Sequence, residues 1–365
     1  MKKHFEVLDG LRGTAALLVV VYHLMEVAHP NPLYHAHLAV DFFFLLSGYV
    51  IGYAYDNRLQ KGTISIKDFF KIRLIRLHPL VIVGTIFGAL GYWLDPFAGY
   101  KQPVDGIIFP SAVILGMLLL PAPSVPNRGD ETHSLNGPSW SLLQEYLVNI
   151  VYAVFCNKLT IKVLWVIVTL SAIVLGVTAI EHGHLAAGWG WSSFWIAPVR
   201  VCYPFFMGLL LFKTGMKFKV PFAYPLLSLI ILANFAWPFN RFDGAIEFLS
   251  VLIPFPLIVA AGAGSTVSGI AASVCRFFGK ISYPIYILHY PFVYLYTHWV
   301  YERHPSHALE VEWGVGLIIF VIVLSWLMLK YFDEPVRAWL TEKYGKKRVP
   351  SDSSNAINYA TREGA

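Results

Sequence analysis

Eleven apolar segments dominate this chain and restrict it to a helical, membrane-embedded fold. Most of them hold about 17–22 residues, the length that an α-helix needs to cross the hydrocarbon core, and none alternates as a β-strand would. The 365 residues are 56% hydrophobic and only 14% charged, which is typical of an integral membrane protein. The segments are 10–28, 38–55, 74–94, 106–120, 139–156, 162–181, 197–213, 220–238, 245–262, 283–301 and 312–332.

The distribution of Lys and Arg predicts about ten crossings rather than eleven. If every basic cluster faces the cytoplasm, one of the two apolar segments between the connections 56–76 and 121–138 cannot cross. The segment 106–120 is short and contains Pro110, so we expect it to be re-entrant or interfacial. The prediction is an all-α polytopic bundle over residues 1–340, with both termini cytoplasmic. A polar, disordered tail is expected over 341–365.

The first apolar helix carries two polar side chains that need an explanation. Arg12 and His23 are eleven residues apart, so they lie on one helix face, about 16 Å apart along the axis. A snorkelling arginine and a hydrogen-bonded core histidine are the alternatives to a functional pair. Ionisable groups that share one stripe of a membrane helix favour a functional site. His23 is therefore the candidate catalytic residue.

Two carboxylates lie close to His23 in the sequence. Glu26 follows it by three residues and can orient the imidazole from the same helix face. Asp41 begins the next apolar helix after a short connection, where it either complements the helix dipole or faces His23. That connection also holds His29, His35 and His37, which we interpret as solvated loop histidines rather than a metal site.

An arginine pair precedes the third apolar segment. Arg73 and Arg76 are at i and i+3, so their guanidinium groups project side by side. Such a pair either reports the positive-inside topology or binds phosphates. A phosphate-bearing donor from the cytoplasm would bind here.

Two further helix starts carry polar side chains inside apolar sequence. Ser141 and Glu145 lie one turn apart, and Glu145 either forms a polar contact between helices or is catalytic. Trp140 is either an interfacial anchor or a platform for a sugar ring. Ser282 and His289, seven residues apart, share a second face, on which His289 is a core histidine or a catalytic group.

Six motifs in sequence order resemble the signature of the acyltransferase 3 family. They are the helix with Arg12 and His23, AVDFFFLLSG, RLIR, GPSWSLLQE, GKISYPIYILH and FDEP, and together they extend from Phe5 to Arg337. The resemblance implies a bacterial membrane protein that transfers acyl groups, most often acetyl, to hydroxyls of glycans and other acceptors. It also implies that His23 is catalytic with Arg12 as its partner, and that Arg12, Arg73 and Arg76 bind acyl-coenzyme A. Gln144 stands where an acidic residue is common in the family.

The resulting hypothesis is an O-acyltransferase of the bacterial inner membrane, with acetyl-coenzyme A as co-substrate and no metal. The acceptor would be a glycan or a lipid-linked saccharide. The formal net charge of +6 fits anionic lipid headgroups better than nucleic acid. A proton-coupled transporter or glycolipid flippase is the main alternative, and a sensor or scaffold without chemistry is the third.

Overall fold

A computed structural model describes residues 4–27, 31–97 and 106–344, and in these ranges the chain is helical and forms no strand. His29 and most of the predicted tail lie outside the described residues. The fourteen α-helices, in chain order, are α1 Glu6–Leu24, α2 Ala39–Gln60, α3 Ile66–Leu94, α4 Ile108–Met117, α5 Ser139–Phe155, α6 Ile161–His182, α7 Ile196–Thr214, α8 Ala223–Phe235, α9 Asp243–Leu252, α10 Pro254–Gly264, α11 Gly269–Leu288, α12 Tyr290–Arg303, α13 His307–Met328 and α14 Glu334–Tyr344.

Seven helical stretches of the described chain are long and apolar enough to cross a membrane. They are Glu6–Val27, Ala36–Gln60, Ile66–Leu94, Ile161–His182, Ile196–Thr214, Asp243–Gly264 and His307–Tyr344. Two shorter apolar helices are α4 and α8. With ten residues, α4 is only about 15 Å long, half of the hydrocarbon thickness. This length fits the expectation that 106–120 does not cross.

Small residues bring the central helices into close contact. A side chain at Gly48 of α2 would overlap the carbonyl oxygen of Phe205 in α7, and one at Gly208 would overlap the carbonyl oxygen of Leu45. In the same way, Gly13 of α1 packs directly against Phe278 of α11. These glycines let the helix backbones approach, as is typical of helix packing in membranes. The α1–α11 and α2–α7 pairs therefore form the centre of the bundle.

The segment predicted as one helix over 283–301 is two helices. The first, α11, already begins at Gly269 and ends at Leu288, and α12 continues from Tyr290. Pro291 lies in the first turn of α12, and proline removes a backbone donor and disfavours helical geometry in the residue before it. His289 therefore occupies the junction between two helices.

Contacts among helix ends and connections define two ends of the bundle. At the His23 end, Thr132 donates its backbone N–H to Trp189 (3.0 Å), and His35 donates its backbone N–H to Phe235 (3.2 Å). At the Arg12 end, Arg276 pairs with Glu6 (2.6 Å), and Lys71 donates to the carbonyl of Tyr344 (3.1 Å). The Lys- and Arg-rich connection 56–76 thus lies at the Arg12 end.

Candidate active site

Arg12 and His23 face the same neighbouring helix, as their spacing predicts. The Nε of Arg12 donates to the Ser282 hydroxyl (2.8 Å), and Nη2 donates to the carbonyl of Gly279 (2.7 Å). The His23 ring stacks against His289 at the end of α11, with ring centroids 5.6 Å apart. The polar stripe of α1 therefore packs against α11.

His23 has the surroundings of a base with a fixed tautomer. Its Nδ1 lies 2.9 Å from Oε2 of Glu26, so the predicted contact between the two is formed. Tyr290 packs edge-on against the imidazole, with centroids 4.7 Å apart. When Nδ1–H donates to the carboxylate, Nε2 keeps its lone pair for a proton or a carbonyl carbon. The His23 side chain is 17% exposed and Glu26 is 40% exposed, so the pair opens towards the surface at the His23 end.

His289 is fully buried and is oriented by its own helix. Its Nδ1 lies 3.0 Å from the carbonyl of Ile285 and 2.9 Å from that of Tyr286, so Nδ1–H donates to this turn. Its Nε2 has no hydrogen-bond partner among the described residues. This geometry fits a core histidine that supports the ring of His23.

Asp41 does not contact His23, and the prediction that it orients the imidazole is wrong. Its carboxylate is fully buried and instead accepts hydrogen bonds from Nη2 and Nε of Arg200. Arg200 also donates to the carbonyls of Ala187 (2.9 Å) and His37 (3.3 Å). A fully buried guanidinium requires a carboxylate partner, and this requirement decides where Asp41 points.

His35 and His37 in the first connection are not solvated, contrary to expectation. His35 is fully buried, and its Nδ1 lies 2.8 Å from the Glu247 carboxylate of α9. His37 approaches the same carboxylate oxygen through Nε2 at 3.2 Å. Within the described ranges, no group of three or more His, Cys, Asp or Glu has metal-binding geometry. The cluster attaches the first connection to α9.

A cavity of about 600 Å³ opens at the Arg12 end and is lined by α1, α2, α3, α5, α11, α14 and the turn before α14. We call it the donor cavity, after the phosphate-bearing donor that the sequence predicts at Arg73 and Arg76. Most of its cations are already paired. The pairs are Arg12–Asp9 (2.8 Å), Arg276–Glu6 (2.6 Å), Arg337–Asp333 (2.9 Å) and Arg73–Glu145.

Arg73 and Arg76 play different parts in this cavity. Arg73 is buried, and its Nη2 donates to Glu145, which also accepts from the Ser47 hydroxyl at 2.9 Å. Arg76 is exposed to the cavity and has no ion-pair partner in the part of the chain that the structure describes. The predicted side-by-side pair is therefore one fixed arginine and one arginine with free donors. Of the two, Arg76 is available to an anionic ligand.

Phe43 and Tyr286 line the donor cavity and contact each other. Their rings pack edge to face at 5.4 Å, and the Tyr286 hydroxyl lies 2.7 Å from Ser141 Oγ. Tyr286 lies between Ser282, which holds Arg12, and His289, which holds His23. The cavity lining includes Arg12 and Tyr286 but not His23. His23 therefore lies outside the cavity.

Trp140 is neither at the surface nor available to a sugar. It is 6% exposed, and the guanidinium carbon of Arg200 lies 5.3 Å from its ring centroid. Its role is to cover the Asp41–Arg200 pair. Sequence reasoning left Arg200 without a role because its partner lies 159 positions away in the sequence.

A second group that the sequence did not reveal lies beside His23, in the connection before α5. Arg128 stacks on Tyr294, its guanidinium carbon 3.4 Å from the ring centroid, and Tyr294 donates its hydroxyl to Glu131. Tyr294 in turn packs on Tyr290, which contacts His23. Burial, together with the nearby Glu26 carboxylate, raises the pKa of the Glu131 carboxyl to about 8, although Tyr294 and Arg128 lower it. Glu131 is therefore mostly protonated at neutral pH.

Comparison with known proteins agrees with the motif resemblance. The profile of a family described as "Acyltransferase domain" matches residues 5–330. The chain is 23% identical to acyltransferase MdmB of Streptomyces mycarofaciens, over 97% of each chain. It is 37% identical to "Protein 2 in picA locus" of Rhizobium radiobacter, over 49% of this chain and 96% of that protein.

A shorter match links the chain to a putative O-acetyltransferase of Staphylococcus aureus. The identity is 42% over 80 residues, which is 21% of this chain and 12% of that protein. No solved structure matches. Because the family profile covers nearly the whole chain, this protein belongs to the acyltransferase 3 family and is an O-acyltransferase.

Proposed function

We propose that the protein transfers an acyl group, in the first place acetyl, from acyl-coenzyme A to a hydroxyl of a glycan or glycosylated acceptor. One observation carries the proposal: a charged cavity at the Arg12 end and the His23–Glu26 pair at the other end are joined by one stripe of α1. The two ends suit the two substrates, an anionic donor and an alcohol. This arrangement fits acyl transfer better than transport.

The donor binds at the Arg12 end. Arg76 has free donors for the phosphates of the coenzyme, while Glu145 holds Arg73 in place. The pantetheine arm extends into the donor cavity towards Arg12 and Ser282. To meet His23, the thioester passes the contact between Phe43 and Tyr286, so transfer requires these two rings to separate.

His23 carries the proton or the acyl group during transfer. In direct transfer, Nε2 takes the proton of the acceptor hydroxyl, the oxygen bonds to the thioester carbon and the C–S bond breaks. The coenzyme thiolate then takes up the proton and leaves as the thiol. In the two-step alternative, Nε2 first bonds to the acyl carbon while the C–S bond breaks and the coenzyme thiolate leaves. The acceptor oxygen then bonds to the acyl carbon, the C–N bond breaks, and the hydroxyl proton converts the thiolate into the thiol. Glu26 stabilises the charged imidazole in both cases.

We also propose ten crossings of the bacterial inner membrane, with the Arg12 end cytoplasmic. Five passes lead from the Arg12 end to the His23 end, namely α1, α3, α6, α8 and α11 with α12. The returning passes are α2, α5, α7, α9 with α10, and α13. The contacts at the two ends support this count, and the basic connection 56–76 at the Arg12 end supports the orientation. The acceptor would then reach His23 from outside the cytoplasm.

Replacing Arg76 with glutamine is expected to raise the KM for acetyl-coenzyme A about 10-fold or more, because a charge-assisted hydrogen bond to phosphate is lost. The measurement is thiol release by the purified protein at increasing donor concentrations. Arg241→Gln is the matched control, since Arg241 lies at the His23 end, stacks on Phe242 and does not line the donor cavity. Equal KM values for the two variants would contradict the donor site.

A further inference from the structure

We propose that a second cavity at the Arg12 end holds the adenosine 3′-phosphate part of the coenzyme, with Arg58 and Lys71 as its phosphate ligands. This inference rests on the proposed function, since it assigns the remainder of the same donor. We call this space the nucleotide cavity. Its volume is about 840 Å³, and it lies between the α2–α3 connection, the first turns of α3 and α14.

The nucleotide cavity adjoins the donor cavity. Arg76, Glu334 and Arg337 line both of them. A single ligand can therefore extend from one space to the other past Arg76. A coenzyme with its pyrophosphate at Arg76 directs its arm to one side and its nucleoside to the other. Arg76, at the junction, can therefore bind the middle of a ligand that occupies both cavities.

The lining of the nucleotide cavity offers the groups that a phosphorylated nucleoside needs. Arg58 is exposed, and neither Arg58 nor Lys71 has an ion-pair partner among the described residues. The Lys71 ammonium donates to the carbonyl of Tyr344 (3.1 Å), which leaves two of its donors for a phosphate. Tyr55, with Arg58 5.7 Å from its ring centroid, provides an aromatic surface for a base.

The positions of Arg58 and Lys71 distinguish them from basic residues that only set the membrane orientation of the chain. Lys61 and Lys67 belong to the same basic stretch, yet neither lines the nucleotide cavity. A positive-inside role makes no distinction among the four residues. Phosphate recognition requires only Arg58 and Lys71, so Lys61 provides a matched control in the same basic stretch.

Equilibrium binding to the full-length protein in nanodiscs of zwitterionic lipid tests the inference without depending on turnover. The probes are coenzyme A and 3′-dephospho-coenzyme A, measured by calorimetry. We expect the unmodified protein to bind coenzyme A about 10- to 100-fold more tightly, because only this ligand carries the 3′-phosphate. The Arg58→Gln/Lys71→Gln variant is expected to bind both ligands with the lower affinity, and Lys61→Gln to retain the difference.

Equal affinity of the unmodified protein for the two ligands would overturn the inference, and this comparison needs no variant. The inference would also be overturned if the Arg58→Gln/Lys71→Gln variant lost affinity for both ligands by the same factor. Its effect would then not depend on the 3′-phosphate. Thiol release from acetyl-coenzyme A is measured separately. If the protein transfers acyl groups but binds coenzyme A and 3′-dephospho-coenzyme A equally, only the assignment of the nucleotide cavity is rejected. If it binds coenzyme A more tightly but transfers no acyl group, only the proposed reaction is rejected.

Discussion

Replacing His23 with alanine is expected to lower the rate of acyl transfer by a factor of about 10² to 10⁴, the usual contribution of a general base or acyl carrier. His23 presents a nitrogen with a free lone pair while Glu26 fixes the other nitrogen. The measurement is the initial rate of thiol release from acetyl-coenzyme A by purified protein at saturating donor. We expect the KM for the donor to change little, because His23 does not line the donor cavity.

Two controls separate chemistry from folding. The His23 side chain is partly exposed, so the variant should unfold near the temperature of the unmodified protein. Glu26→Gln should retain measurable activity with a shifted pH profile, because glutamine still orients the ring but does not stabilise its charged form. Turnover of His23→Ala near the unmodified rate would reject the catalytic assignment.

Replacing Asp41 with asparagine is expected to destabilise the fold by about 3–5 kcal/mol, since it leaves the buried Arg200 guanidinium without a charged partner. Both side chains are almost completely buried, at 0% and 1% exposure. Thermal unfolding of the purified variant in detergent measures the effect. We expect a lower yield of folded protein and a clearly lower unfolding temperature.

A double variant distinguishes this structural role from catalysis. Asp41→Leu with Arg200→Met removes both charges, and apolar replacement of a buried ion pair is often tolerated. We expect this variant to regain most of the lost unfolding temperature and to transfer acyl groups. If Asp41 took part in the chemistry, the variant would regain stability but stay inactive.

Features of the structure that depend on local spacing could be predicted from the sequence. The shared face of Arg12 and His23 follows from the helix period, and the contact between His23 and Glu26 follows from their i, i+3 relation. The failure of α4 to reach membrane length follows from its short apolar run. These predictions need no knowledge of which helices are neighbours.

Partners between distant helices could not be predicted. Asp41 pairs with Arg200 and His35 with Glu247, across 159 and 212 positions. Several carboxylates and cations compete for each partner in the sequence, and only helix packing selects among them. The break at His289 had a local signal, because Tyr290 precedes Pro291 and helical geometry is disfavoured before proline.

The central claim is that a donor held at the Arg12 end acylates an alcohol held at the His23 end. Proteoliposomes of uniform orientation test it directly, with labelled acetyl-coenzyme A supplied to the Arg12 end and an oligosaccharide acceptor confined to the opposite side. We expect labelled acceptor on the acceptor's side, free coenzyme on the donor's side and neither product with His23→Ala. Labelled acceptor that forms only when both substrates are on the same side would contradict the claim.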